Sequence, residues 1–242
     1  MEINQVSNKK SCYIWQKLFM KKVIIGASIL LVSSISPLQA EDSKNYITIG
    51  GGIAFPIDSE GDTKLGAYDY DFKYELDDAG LFSIGFGRKF NDYRLEFNYS
   101  KATIESDSFS VTSGGSGIVA SITPALESDV SSYMVYGYKD FPSDSKFTPY
   151  AGLGLGIGNF SAKNQTATIT GTAYKFEGGN EAVFSLGLKG GVSYELAENT
   201  SLFTEGLYQN FASYQVAETG YETVNYDSNQ FFAVSAGIKY SF

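Results

Sequence analysis

Eight stretches of this chain alternate bulky with small or polar residues at a period of two, and each runs for about 10 to 14 residues. In YRLEFNYS (93–100), Tyr93, Leu95, Phe97 and Tyr99 share one face, with Arg94, Glu96, Asn98 and Ser100 on the other. LFSIGFGRKF (81–90) sets Phe82, Ile84, Phe86 and Phe90 against Ser83, Gly85, Gly87 and Lys89. AVFSLGLKGGVSY (182–194) sets Phe184, Leu186, Leu188, Val192 and Tyr194 against Ser185, Gly187, Lys189, Gly191 and Ser193. Such alternation marks a two-faced strand. The expected strands are 45–55, 79–90, 93–105, 129–139, 147–160, 182–194, 200–212 and 228–242. Two are less regular: SYMVYGYK is apolar on both faces, and Glu205 shares parity with Phe203 and Leu207, which requires either a bulge or a mixed face.

These segments exceed the five or six residues usual in soluble sheets and suit tilted membrane strands. Their connections alternate in length. FND, DFPSDSK and ELAEN are short; 56–78, 106–128, 161–181 and 213–227 are long and polar. Even strand number with short turns at one end and long loops at the other predicts an all-β, eight-stranded antiparallel up-and-down transmembrane barrel. Parity alone does not say which face points outward, since a soluble barrel hides its apolar face. Size does: the interior of eight strands is just filled by side chains and has no room for the bulky face of most of them. That face must meet lipid, where the sheet has to close on itself. The last strand, FFAVSAGIKYSF, is then expected to pair with the first, NYITIGGGIAF.

Residues 20–40, MKKVIIGASILLVSSISPLQA, hold a lysine pair, an apolar run and small residues before a cut expected after Ala40. They read as a secretory signal peptide, too short in its apolar run to span a membrane. Residues 1–19 are either an extended leading region or the product of a start codon assigned too early, with Met20 the true start. The expected division is therefore signal peptide 1–40 and barrel 41–242. Cys12 falls in the excluded part, so the barrel domain has no cysteine. Without the five Lys and one Glu of 1–40, 13 basic and 26 acidic residues remain. That balance disfavours nucleic acid as a partner.

FFAVSAGIKYSF and FTPYAGLGLGIG resemble the small outer-membrane β-barrels of Gram-negative bacteria, the OmpA-like, OmpX-like and Opa-like surface proteins with a porin-like barrel domain. The resemblance implies an outer-membrane location with periplasmic termini, in contact with lipid and lipopolysaccharide. It also implies that Phe242, with Tyr240, Ile238 and Phe232 at alternate positions before it, is the signal read by the barrel-assembly machinery.

Charged residues inside strands fall on the small face: Arg94, Glu96, Lys189, Glu205 and Lys239, with Lys89 nearer an end. Both signs are present, so a paired network plugging the lumen is expected, with a gated or narrow conduction path as the rival. GLGLGIG (152–158) lacks the spacing and following helix of a nucleotide loop, and its period-two glycines read as space left for large lumen side chains. The acidic first loop concentrates Asp69, Asp71, Asp77 and Asp78, weak candidates for a hard cation, but no EF-hand spacing is present and a solvated loop is the plainer reading. IVASIT and TATITGTAYKF in the second and third long loops are strand-like and are expected to extend hairpins above the membrane. Asn164 and Asn199 match a glycosylation pattern that a bacterial host leaves unused.

The chain has no histidine, which removes Ser-His, Cys-His and His-metal chemistry; neither an enzyme nor a bound cofactor is expected. The expected function is structural or surface interaction, adhesion or antigenic display, carried by four extracellular loops toward an unidentified partner. A narrow pore or hydrophobic-ligand channel is one alternative, and a soluble secreted ligand-binding barrel a second.

Overall fold

The computed structural model describes residues 43–65, 68–113, 116–169, 171–176, 178–216 and 224–242. The expected signal peptide and Cys12 lie outside these residues. In chain order the strands are β1 (Ser43–Pro56), β2 (Ser59–Leu65), β3 (Tyr68–Glu75), β4 (Ala79–Phe90), β5 (Tyr93–Ser113), β6 (Ser116–Asp140) and β7 (Phe147–Ala162), then β8 (Gln165–Ile169), β9 (Thr172–Phe176), β10 (Gly179–Ala197), β11 (Thr200–Phe211), β12 (Tyr214–Val216), β13 (Val224–Tyr226) and β14 (Asn229–Ser241).

Eight of them close a ring in the order β1, β4, β5, β6, β7, β10, β11, β14 and back to β1, every pair antiparallel. The closing seam runs in register from Tyr46↔Ser241 to Pro56↔Phe231. Beyond it, the Asn45 amide donates to the Phe242 carbonyl (3.0 Å) and the Phe242 amide donates back to Asn45 (2.8 Å). No ring strand keeps a free edge, which is the condition for placing backbone amides in hydrocarbon. The short turns lie at one end. At Asn91–Asp92 the Asn91 backbone takes φ 54°, a left-handed value that asparagine tolerates better than most residues.

The bulky faces point outward. Ile49, Ile53, Phe82, Ile84, Phe86, Phe97, Leu153, Leu155, Leu186, Leu188, Val234 and Ile238 are all exposed. Ring pairs band both rims of this belt: Phe147 with Tyr194 (4.8 Å) and Tyr240 with Phe242 (6.3 Å) at the turn end, Tyr99 with Tyr133 (5.2 Å) and Tyr208 with Phe232 (5.1 Å) toward the loops. An apolar wall with aromatic girdles is the surface of a barrel in a bilayer. A soluble barrel would bury these groups, and that alternative is set aside.

The two irregular strands have different explanations. β11 is a mixed face without a bulge at Glu205, which pairs in register with Gly191 on one side and Ser235 on the other. Glu205, Leu207, Gln209 and Phe211 all lie buried inside. On β6, Tyr136 and Tyr138 turn inward and lie on the glycine stripe of β7. A Cβ at Gly154 would come within 2.4 Å of the Tyr136 ring, and one at Gly152 within 2.4 Å of the Tyr138 ring.

The loop end is more ordered than polar composition implied. β5 and β6 continue past the belt as a long hairpin, Ser106↔Leu126 to Ser113↔Ser116, interrupted by one register shift. β3 adds to β5, β2 to β3, β13 to β2 and β12 to β13, while β8 adds to β6 and β9 to β8. The expected second and third hairpin extensions are present; the strands of the first and last long loops were not anticipated.

Candidate functional site

Two regions could carry function: the lumen and the sheet at the loop end. Alternation places one residue in two on the inside of every ring strand, and the eight strands bring these side chains together. Near the turn end they are charged. The Arg94 Nε donates to Asp140 Oδ1 at 2.8 Å, and Lys89, partly exposed, reaches the other oxygen of Asp140 at 3.3 Å. The Arg94 guanidinium lies over the rings of Tyr138 (4.4 Å), Tyr150 (4.7 Å) and Tyr46 (5.7 Å). A desolvated guanidinium–ring contact is worth about 2 kcal/mol or more.

Across the lumen the Lys189 ammonium donates to Glu205 Oε1 at 2.7 Å and sits 4.7 Å from the Tyr136 ring centre, while the Tyr150 hydroxyl donates to Glu205 Oε2 at 3.0 Å. Glu96 is buried but pairs with no cation among the described residues; Asn98 Nδ2 (3.1 Å) and the Tyr138 hydroxyl (3.3 Å) donate to its Oε1. Lys239 faces the same space and makes no ion pair among the described residues. The five charges named from the sequence therefore share one interior. Two ion pairs form, Arg94–Asp140 and Lys189–Glu205, and Glu96 and Lys239 stay outside both.

Sequence reasoning missed Asp140, which it assigned to a turn; it is the last residue of β6 and 2% exposed. It also missed Gln209, fully buried, whose Nε2 donates to Ser132 (3.0 Å) and Ser185 (2.8 Å) and bridges three strands. The lone polar residue between Leu207 and Phe211 on an inward parity was the available signal. Above it the lumen is apolar, with Val130, Val183, Phe211 and Phe231, while Met134 and Leu207 lie just below. The space left among the charges is about 10 Å³, room for about one water molecule. From the turn end upward the lumen thus carries charges, then an amide bridge, then apolar side chains.

At the loop end the four acidic candidates do not converge. Asp69 pairs with Lys64 at 3.0 Å, Asp71 sits in the β3 ladder opposite Asp62, and Asp77 and Asp78 lie in the connection before β4. Among the described residues no group of three or more acidic side chains is placed to hold a metal ion. Lys73 joins Asp58 (2.9 Å) and Glu60 (3.2 Å), and the hydrogen bonds it donates to Asp58 and then Glu60, with their charge, hold its ammonium above the ordinary lysine value. Lys163 is raised likewise by its hydrogen bond to Glu127.

Rings line the inner side of this sheet. Tyr214 stacks on Tyr226 (4.9 Å), Tyr226 meets Phe72 (5.3 Å), Phe72 meets Tyr74 (5.8 Å), and Tyr74 meets Phe109 (6.1 Å). Gly61 lies between Tyr226 and Phe72 in the ladder, and a Cβ there would stand 2.6 Å from the Phe72 ring. Its bare backbone is what lets rings from strands on either side of β2 touch.

No family model matches the chain, and no curated protein matches it. Solved structures do. Neisserial surface protein A is 17% identical, with a TM-score of 0.50 over 83% of this chain and 99% of that one. The outer membrane protein OprG from Pseudomonas aeruginosa is 16% identical, with a TM-score of 0.55 over 82% of this chain and 96% of that one. At these identities the likeness concerns the fold, and it coincides with the ring order, the outward apolar belt and the girdles. The chain has the fold of the small eight-stranded β-barrels of the Gram-negative outer membrane.

Proposed function

We propose that this protein is a non-conducting outer-membrane surface protein whose work is done by its extracellular strands and loops, in adhesion, display or support of the membrane, with both termini in the periplasm. One observation carries the reading: the membrane-level lumen is filled, with about 10 Å³ left among its charges, whereas the chain invests six additional strands at the loop end alone. A pore needs a continuous wet path, and a recognition surface needs a rigid frame for exposed side chains. Lipopolysaccharide then surrounds the girdled belt, and the outward Ile238, Tyr240 and Phe242 at the end of β14 are the features offered to the barrel-assembly machinery. Non-enzymatic surface binding fits the lack of histidine.

Planar-bilayer recording on the purified, folded barrel tests the lumen: no reproducible unitary steps are expected, and steps of constant size would favour the narrow-pore reading. Cells displaying the full barrel, compared with cells whose barrel has residues 106–126 replaced by a short turn, test the loop end. Equal attachment of both to every surface tried, host matrix and glycan arrays included, would leave display or membrane support as the role.

A further inference from the structure

One cation on the outward wall has no counter-charge. Lys101 and Lys139 stand on that wall too, and each has a carboxylate, Asp129 at 2.9 Å and Asp92 at 3.0 Å. Arg88 makes no ion pair among the described residues. Alternation puts it on the side of Phe82, Ile84 and Phe86, which meets lipid, and the ladder sets it between Asn45 of β1 and Leu95 of β5. Its depth follows from the register. Phe86 pairs with Ile47, and Ile47 with Tyr240 of the turn-end girdle, so Arg88 lies two residues, about 7 Å of strand, beyond that row. Headgroups replace hydrocarbon at such a level, and a cation there costs far less than at the midplane. The guanidinium is also fixed in place. It lies over the Phe90 ring, 5.4 Å from its centre, with its Nε buried, and its Nη2 donates to Ser43 Oγ at 2.7 Å. Ser43 keeps its own proton to donate. Asn45, two residues along the same face, makes no side-chain hydrogen bond among the described residues, and Asp92 in the adjoining turn is engaged by Lys139. A guanidinium, a hydroxyl and an amide therefore gather donors at one point of the rim, with no carboxylate bonded to any of them among the described residues.

We propose that Arg88, with Ser43 and Asn45, is a binding site for the phosphodiester group of one inner-leaflet phospholipid. The choice of leaflet rests on the orientation proposed above, with the turn end in the periplasm. Two phosphate oxygens match the planar fork of a guanidinium, and the single negative charge of a phosphodiester balances the single unpaired cation. The Ser43 hydroxyl and the Asn45 amide add neutral donors and leave that balance unchanged. The acyl chains of the lipid then lie against Phe86 and Leu95, on the apolar belt next to the site.

The test uses the whole barrel, stripped of lipid in a neutral detergent, and native mass spectrometry with three probes: dioleoyl phosphatidylglycerol, dioleoylglycerol and inorganic phosphate. Wild type should retain one phosphatidylglycerol in a saturable way, and neither of the other two at the same concentration. Arg88→Leu should weaken that retention about tenfold or more, Arg88→Lys less, and Ser43→Ala about threefold. These side chains stand outside the lumen network, so the heat-dependent gel shift should show every variant folded; should Arg88→Leu not fold, Arg88→Lys and Ser43→Ala carry the comparison. Retention of phosphatidylglycerol that no variant weakens, equal retention of dioleoylglycerol, or capture of inorganic phosphate in its place would overturn the assignment. Orientation is read separately from Asp144→Cys, a single thiol in a barrel domain that has no cysteine of its own. A membrane-impermeant maleimide should label it in opened cells alone. Labelling in intact cells would overturn the inner leaflet and the proposed orientation together, whatever the retention result.

Discussion

Replacing Lys189 by methionine tests how the lumen is held together. At 2.7 Å the Lys189–Glu205 attraction is about 6 kcal/mol in an effective dielectric of about 20, before the cost of taking both groups out of water is subtracted. Removing one partner of such a pair costs about 3 to 5 kcal/mol, because the other charge is left buried. Lys189→Met leaves Glu205 with the Tyr150 hydroxyl alone, and Glu205→Gln leaves the Lys189 ammonium without a counter-charge, with only a neutral amide and the Tyr136 ring beside it. Each single variant should therefore lose about 3 to 5 kcal/mol. In the double variant no charge is stranded, and the introduced glutamine still offers Tyr150 an oxygen. Its loss should fall short of the summed singles by about 2 kcal/mol or more. Reversible urea unfolding in lipid vesicles, read by tryptophan-independent circular dichroism, gives all four corners of the cycle. Losses that add to within about 0.5 kcal/mol would show that the two side chains are not coupled and that the description of the plug is wrong.

Gly154→Leu should destabilise the barrel by about 1 to 3 kcal/mol, measured the same way, since even its Cβ would stand 2.4 Å from the Tyr136 ring. Leu188→Arg, which sets a charge on the outward belt, should cost about 2 to 4 kcal/mol if that face meets hydrocarbon, and no loss would mean it does not. Deleting Phe242 removes both backbone bonds to Asn45 and should lower the yield of folded barrel in outer-membrane fractions; wild-type yield would count against a role in assembly. Gly61→Val should disorder the ring ladder of β3 and β13 without changing the gel shift of the membrane ring, because that clash lies wholly in the loop-end sheet.

The ring was legible because lipid imposes a rule that each strand states for itself: nearly every second residue of 93–100 or 182–194 is greasy, Gly190 being the exception. The interior was legible in composition and not in pairing. Parity put Arg94, Glu96, Lys189, Glu205 and Lys239 on one side of the wall, but it does not say which neighbour each one takes: Arg94 goes to Asp140 on β6 and Lys189 to Glu205 on β11, each a diagonal partner on the adjacent ring strand. Asp140 was hidden by its neighbours Phe141, Pro142 and Ser143, which spell a turn. Tyr136 and Tyr138 looked like an irregular strand because their complement, Gly154 and Gly152, lies on β7. The β2–β3 hairpin escaped notice because SEGDTKL carries almost no apolar signal, and its order comes from a backbone ladder between neighbours that any composition can supply.

The upward continuation of β5 and β6 has a consequence for how such a surface can vary. Six further strands are laced to this pair by main-chain hydrogen bonds, so the outer end behaves as a lattice and not as a set of tethers. Within a lattice, an insertion of one residue flips the orientation of every side chain beyond it. Sequence change that the fold tolerates is thereby channelled into substitutions at fixed, outward-facing positions and into length changes at the hairpin tips. Antibodies raised against the folded barrel should accordingly recognise patches drawn from neighbouring strands and bind linear peptides of the same segments poorly.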